Sequence, residues 1–341
     1  MAERPPVRLQ DVAEHAGVSL ATASRMLSDP EYGGRAALRE RVLAAAAELG
    51  YRPNPYARAL ATATSMNVGL VIHDVRDAYF ATLSGGVITV AERHDLLVTI
   101  VCTYRDPRRE LEYVKRLADQ RVRAIVLAGS PVRDSAHNAA MHAELDAYQR
   151  SGGSVVSVTR GRTVGHVVDI DNVGGMRKLV HDVVGLGHTS FGVLAGPQRL
   201  LAVRDRLQGI KLGLKDHGIT LGRDDVVYGD VSRDGGLVGA QALMSRREPP
   251  RCLLAVADVV AVGALSWLRA NGISVPGDVS VTGFGGIPAA IDAVPSLTTV
   301  ELPLGKVGEN AMELALKPAS PRHVVEVEGT VVRRDSVAAL R

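Results

Sequence analysis

Between Leu9 and Leu27 the apolar residues fall into two short helical patterns divided by a glycine. Val12, Ala13 and Ala16 share one side of a first helix, which Gly17 ends as glycine does just past a helix C-terminus. Ser19 is placed to cap a second helix, its hydroxyl accepting from the first unpaired amides. At about 100° per residue, Leu20, Ala21, Ser24 and Arg25 share one arc, and Ala23, Met26 and Leu27 take the other side. A third helix follows over AALRERVLAAAAELG, with Leu38, Val42, Ala45, Ala46 and Leu49 as its stripe and Gly50 as its stop. Three such helices make a module too small to be more than marginally stable alone.

From Asn67 the pattern changes. Short continuous apolar runs alternate with helical stretches: VGLVIH, LLVTIVC, RAIVLAG, SVVSVT, HVVDI, SFGVLAG, RCLLAVA and VSVTGF. Such runs suit strands buried on both faces of parallel sheets. Eight of them exceed one small sheet, so two α/β lobes are expected.

The order D-V-A-x-x-A-G-V-S-x-x-T-x-S-R over Asp11 to Arg25 is narrower than any generic helical hairpin. It resembles the start of the LacI/GalR family of bacterial transcription regulators. The resemblance continues through Asp74, the LAGP of 194–197, the R-x-R-L-x-G of 204–209, VPGDVSVTGF at 275–284, PSLTTVELPL at 295–304 and RRDS at 333–336. It implies an α/β protein with a helix-turn-helix headpiece (1–52), a hinge helix and linker (53–65), and a two-lobed periplasmic-binding-protein-like sensor (66–341). The lobes are expected near 66–162 with 296–322, and near 163–295 with 323–341.

The resemblance further implies a dimeric, sequence-specific regulator, a repressor, on a pseudo-palindromic double-stranded DNA operator. The second helix would enter the major groove. Leu20 and Ala21 carry no donors and can only touch thymine methyls or fill space, Arg25 can make a bidentate contact to guanine, and Thr22 and Ser24 suit phosphates. In YRPNPYARAL, Asn54 would cap the hinge helix, Ala57 would sit at its dimer contact, and Leu60 would wedge open the central base step. Two departures stand in the headpiece: Arg8 replaces the usual hydroxyl cap, and Gly34-Arg35 replaces the Val-Ser that opens the third helix.

For the sensor, the resemblance places a small-molecule effector, a sugar or a derivative, beyond the carboxyl ends of the strands. Asp74, Tyr79, Phe80, Arg160, Arg204 and Asp258 are the expected contacts. Ordinary roles compete: Asp74 ending a strand, Arg204 pairing with a surface acid, Asp258 capping VVAVGALSWLRAN. Here too the chain departs from the family. Gly285-Gly286 stands for two carboxylates, Ala257 for an asparagine, and Thr159 for an aspartate. Fewer acceptors, with Arg160 and Arg204 retained, point to an anionic effector rather than a neutral hexose. A regulator with a vestigial cleft, governed by a protein partner or by nothing, is the alternative.

Composition changes this picture little. The net charge of +3 is small, and residues 1–62 hold eight arginines against seven acids, so phosphate contacts depend on placement. Cys102 and Cys252 lie in separate apolar runs, as buried thiols in a reducing compartment do. No leader precedes Leu9 and no apolar run is long enough for a membrane span, so a cytoplasmic protein is expected. The chain carries no H-E-x-x-H, G-x-S-x-G or P-loop, and Gly185-Leu186-Gly187 follows a helical stretch rather than a strand. Neither an enzyme nor a cofactor is expected. A secreted solute-binding protein would share the lobes but lack residues 9–62. No heptad tail follows RRDSVAALR, so a tetramer through a C-terminal coil is not expected.

Overall fold

The computed structural model describes residues 7–28, 36–51 and 65–340 and divides into two compact units, 1–66 and 67–341. Asn54, Ala57 and Leu60, and the Gly34-Arg35 departure, lie outside the described residues.

The first unit holds α1 (Leu9–Ala16), α2 (Leu20–Ser28) and α3 (Ala36–Glu48). Val12, Ala13, Ala23, Met26, Val42 and Ala45 close one small core among them. Gly17 takes the left-handed conformation at φ 62°, and the Val18 amide returns to the Ala13 carbonyl, which ends α1 as a Schellman turn. Arg41 of α3 donates to the Ala16 carbonyl, putting a cation on the negative end of α1. The missing hydroxyl cap at Arg8 is partly replaced: the Arg8 amide donates to Asp11 Oδ2 at 2.7 Å.

The second unit contains two six-stranded sheets. The first lobe uses β1 (Asn67–Ile72), β2 (Leu97–Cys102), β3 (Ala124–Leu127), β4 (Ser154–Val158) and β5 (His166–Ile170). Its sixth strand, β11 (Val324–Val327), returns from far along the chain. All pair in parallel, in the order β11-β5-β4-β3-β1-β2. The second lobe uses β6 (Phe191–Ala195), β7 (Val226–Tyr228), β8 (Cys252–Ala255), β9 (Ser280–Gly285), β10 (Thr298–Glu301) and β12 (Thr330–Val332). Its order is β12-β10-β9-β8-β6-β7, with only β12 antiparallel. The eight expected strands all form. β7, β10, β11 and β12 are additional, and each has at most four residues.

Three chain crossings join the lobes, and each falls several residues after the expected boundary. β5 belongs to the first sheet, β10 to the second, and β11 to the first. The lobes therefore run near 67–170 with 304–327, and near 172–301 with 330–340. Helix α12 (Leu304–Ala315) explains the middle correction, because it packs on α4 (Ala78–Glu92) of the first lobe. A Cβ at Gly86 would lie 2.0 Å from the Gly305 carbonyl oxygen, and one at Gly308 would lie 2.0 Å from the Leu83 carbonyl oxygen. Only glycine allows backbones so close.

The remaining helices are α5 (Pro107–Asp119), α6 (Ser135–Arg150), α7 (Asn172–Gly185), α8 (Leu201–Asp216), α9 (Arg233–Met244), α10 (Asp258–Ala270) and the short α11 (Pro288–Asp292). Aspartates start several: Asp77, Asp106, Asp134 and Asp171 each accept an amide from the first turn of α4, α5, α6 and α7. Cys252 is fully buried, whereas Cys102 on the edge strand β2 is half-buried, a correction to the expected burial of both. Among the described residues no helix is long and apolar enough to cross a membrane.

Candidate functional site

In both sheets the winding reverses beside the first strand of the lobe: β1 lies between β2 and β3, and β6 lies between β7 and β8. Such switch points leave a crevice beyond the carboxyl ends of the strands. The two crevices face each other here. One cleft of about 720 Å³, counting its open mouth, is lined by segments that follow β1, β3, β6 and β8.

His73, Asp77, Tyr79 and Phe80 enter after β1, and Ala128 and Ser130 after β3. Burial and Arg105 lower the His73 pKa to about 4, so its imidazole is neutral. The Ser130 amide donates to His73 Nε2 at 3.2 Å, which leaves the proton on Nδ1, 3.1 Å from the Thr103 hydroxyl. Phe80 stands edge-on between His73 and Tyr79, with centroid distances of 5.4 and 5.1 Å. Tyr79 and Phe80 thus line the cleft as expected. Asp74 does not: it turns out to Arg76, with Oδ2 2.7 Å from Nη2, and Asp77 takes the cleft position. Burial raises the Asp77 carboxyl above its ordinary range.

The arginine expectations need correction. Arg204 is exposed on α8, and the cleft arginine is Arg206. Arg206 sits one turn after Val203 and one turn before Ile210, on the buried side of the helix. Its Nε donates to Asn172 Oδ1 at 2.7 Å, its Nη1 to the Val256 carbonyl at 2.8 Å, and its plane lies over Phe284. Burial lowers its pKa. Arg160 also lies outside the cleft, half-exposed and clasped to buried Asp205 of α8, with Nε–Oδ2 3.1 Å and Nη2–Oδ1 2.9 Å. Both of those donors are spent on the carboxylate, across the lobes, and Arg160 is not among the residues that line the cleft.

Asp258 is 1% exposed and lines the cleft floor. It does not cap α10, whose N-cap is Ala257. Its carboxylate instead accepts from the Thr299 hydroxyl at 2.5 Å and the Ile287 amide at 2.9 Å, tying down the turn after β9. Burial raises its pKa and these hydrogen bonds oppose the rise. Thr159 is 5% exposed, holds φ 122°, and its buried hydroxyl has no partner among the described residues. A β-branched residue there is strained. Sequence reasoning missed Asp77, Arg105, Ser130, Asn172 and Arg206. Only Arg206 carried a readable signal, its spacing from Val203 and Ile210. Among the described residues no group of three or more histidine, cysteine or carboxylate side chains is placed to hold a metal.

In the first unit α2 is set by Ser19, whose Oγ accepts the Thr22 amide at 3.1 Å and meets Thr22 Oγ1 at 2.7 Å. Thr22 and Ser24 are half-buried, while Leu20, Ala21 and Arg25 are exposed; Leu20 keeps 52% of its surface. An exposed leucine beside an exposed arginine at the start of a capped helix is a face shaped for apolar and polar contact together.

Comparisons agree with this geometry. Residues 8–54 match the model of bacterial regulatory proteins of the lacI family, and residues 180–337 match that of the periplasmic binding protein-like domain. The transcriptional regulator GalS of Salmonella typhimurium is 33% identical over 338 residues, covering 97% of each chain. A solved regulator described as a CelR–cellobiose complex is 28% identical with a TM-score of 0.69, over 98% of this chain and 100% of that one. The lac repressor dimer bound to operator and anti-inducer shares the fold, with a TM-score of 0.82 at 24% identity over 98% and 100%. The chain belongs to the lacI family of bacterial transcriptional regulators.

Proposed function

We propose that this protein is a repressor that binds a pseudo-palindromic operator as a homodimer and responds to a small sugar-derived effector in the interlobe cleft. The observation that carries the DNA half is the face of α2: Leu20, Ala21 and Arg25 are exposed while Ala23 and Met26 are buried. Leu20 and Ala21 would read thymine methyls, Arg25 a guanine, and the hydroxyls of Thr22 and Ser24 would approach phosphates. Asn54, Ala57 and Leu60 keep their proposed roles in a hinge helix. The effector half is supported by the double switch-point cleft and by relatives described with cellobiose or an anti-inducer bound. Its contacts are proposed as Tyr79, Phe80 and Arg206, with Asp258 shaping the floor rather than accepting from ligand. Ligand would shift the balance between two lobe arrangements and so the spacing of paired headpieces, a coupling of about 1–3 kcal/mol being sufficient. A cytoplasmic location fits this reading.

The test is selection of sheared genomic DNA on the purified protein, followed by sequencing of what is retained. An enriched pseudo-palindrome supports the reading. Retention without sequence preference, at both low and moderate salt, removes it.

A further inference from the structure

The ligand class can be narrowed from the cleft itself, an inference that rests on the effector reading above. Acceptors in the cleft are largely consumed. Asp258 serves Thr299 and Ile287, Asp77 Oδ1 takes the Tyr79 amide at 3.1 Å, and both His73 nitrogens are engaged by Thr103 and Ser130. Positions 159, 257, 285 and 286 carry no carboxylate at all. Donors are not consumed in the same way. The Thr159 hydroxyl is buried without a partner among the described residues, and Arg206, although its Nε and Nη1 are spent on Asn172 and the Val256 carbonyl, has no carboxylate paired with it among those residues.

Arg105 completes the pattern. It lines the cleft from the loop after β2, where Tyr104 and Arg105 hold φ 51° and 60° in succession. Two adjacent non-glycine residues in the left-handed region cost strain, and the loop is held there by its neighbours. The Thr103 amide bonds Ile72, the Tyr104 amide bonds His73 at 2.8 Å, and the Arg105 amide reaches the Thr103 hydroxyl at 3.3 Å. The same residues that fix His73 therefore aim Arg105. Its side chain is 20% exposed, and Asp77 Oδ2 stands 3.8 Å away, too far for a hydrogen bond. Arg105 is thus ion-paired with Asp77, with Asp74 and Asp230 also near it, but the pair lies beyond hydrogen-bond length, so the guanidinium N–H groups remain donors for a second anion.

We infer that the cleft takes a compact ring compound bearing one oxyanion, a carboxylate or a phosphate, with Arg105 as the residue that selects for the anion. Thr159 contributes a further hydrogen bond, and Tyr79, Phe284 and Ile170 give the ring its apolar walls. The proposed anion is thereby assigned to a different cation from Arg160 and Arg204, neither of which lines the cleft.

The test is thermal unfolding of the full-length protein at fixed ionic strength against matched probes. These are D-glucose, D-glucose 6-phosphate and D-glucuronate; D-ribose and D-ribose 5-phosphate; and inorganic phosphate alone. The expected result is that an anionic probe stabilises at a concentration at least tenfold below its neutral counterpart. Arg105→Gln should raise that concentration at least tenfold, Arg105→Lys by less, and Arg204→Gln should match the parent. The phosphate and glucuronate arms decide which oxyanion is taken. Equal response to neutral and anionic probes, or an anion response that Arg105→Gln leaves unchanged, overturns the inference while the sensor reading stands. No response to any probe overturns both, and the DNA selection above then judges the headpiece by itself.

Discussion

The guanidinium carbon of Arg206 lies 4.1 Å from the centre of the Phe284 ring, joining α8 to the end of β9 inside the cleft. Stacking, a bond to Asn172 and a bond to the Val256 carbonyl together fix this side chain. Lysine cannot reproduce a planar fork with two directed bonds. Arg206→Lys should therefore weaken effector-dependent stabilisation at least tenfold, whereas Arg204→Ala should change it less than about threefold, because residue 204 is exposed. Effector titrations followed by thermal unfolding check this. A larger loss at 204 than at 206 would reverse the assignment.

The headpiece was legible because its signals are local. Gly17 and Ser19 fix their own turn and cap, and the helical arc of α2 follows from residues within nine positions. Lobe membership is not local: HVVDI has the composition of a buried strand that either sheet would accept, and β11 and β12 are short and partly exposed. The same limit applied in the cleft. Nothing in the string TYRDP marks Tyr104 and Arg105 as left-handed, since neither is the glycine or asparagine that usually signals that conformation. Two arginines in R-x-R stand about 200° apart around a helix, and Arg206 is the one that shares the buried side with Val203 and Ile210.

The Arg160–Asp205 clasp predicts an asymmetry. Asp205 is 6% exposed and Arg160 52% exposed, so the pair is a buried acid covered by a surface base. Removing the base strands a buried charge, while removing the acid leaves an arginine free to enter water. Arg160→Ala should cost about 2 kcal/mol or more, Asp205→Ala less, and the double variant less than the sum. Urea midpoints of the three variants measure this. Equal single costs would show that the pair contributes no burial penalty.

His73 sets a pH window. Its pKa is lowered from 6.5 to about 4, so the unfolded chain takes up a proton that the folded protein refuses. Its contribution is intact above 6.5 and is lost as pH falls from 6.5 toward 4. At about 1.4 kcal/mol per pKa unit the loss is on the order of 3 kcal/mol. His188 and His166 are also lowered by burial and add to the same slope. His73→Asn should flatten the fall in stability between pH 6.5 and 4 relative to the parent, read as urea midpoints at several pH values. An unchanged slope would mean that carboxylates alone carry the acid sensitivity.

Gly86 of α4 and Gly305 of α12, which meet where the two helices pack, should respond differently to a methyl group. A Cβ at Gly86 would lie 2.0 Å from the Gly305 carbonyl oxygen, whereas a Cβ at Gly305 meets nothing within 4 Å. Gly86→Ala must push α12 away from α4 and should cost about 1–3 kcal/mol. Gly305→Ala, in the first turn of α12, should be neutral or stabilise by up to about 1 kcal/mol through lower unfolded-state entropy. Equilibrium unfolding of the two variants distinguishes a backbone contact from a merely flexible position.

The DNA face separates contributions to structure from contributions to reading. Ser19→Ala removes the acceptor for the Thr22 amide and should cost about 1 kcal/mol of headpiece stability, lowering affinity for specific and non-specific DNA alike. Arg25→Ala should behave differently. If its guanidinium reads a guanine, specific affinity falls by about 1–3 kcal/mol and tolerance rises at one operator position, with a small change on non-specific DNA. If it contacts phosphate instead, affinity falls on every sequence and the salt slope drops by about 1. Gel-shift titrations over a salt series, on the selected operator and on scrambled DNA, tell the two apart.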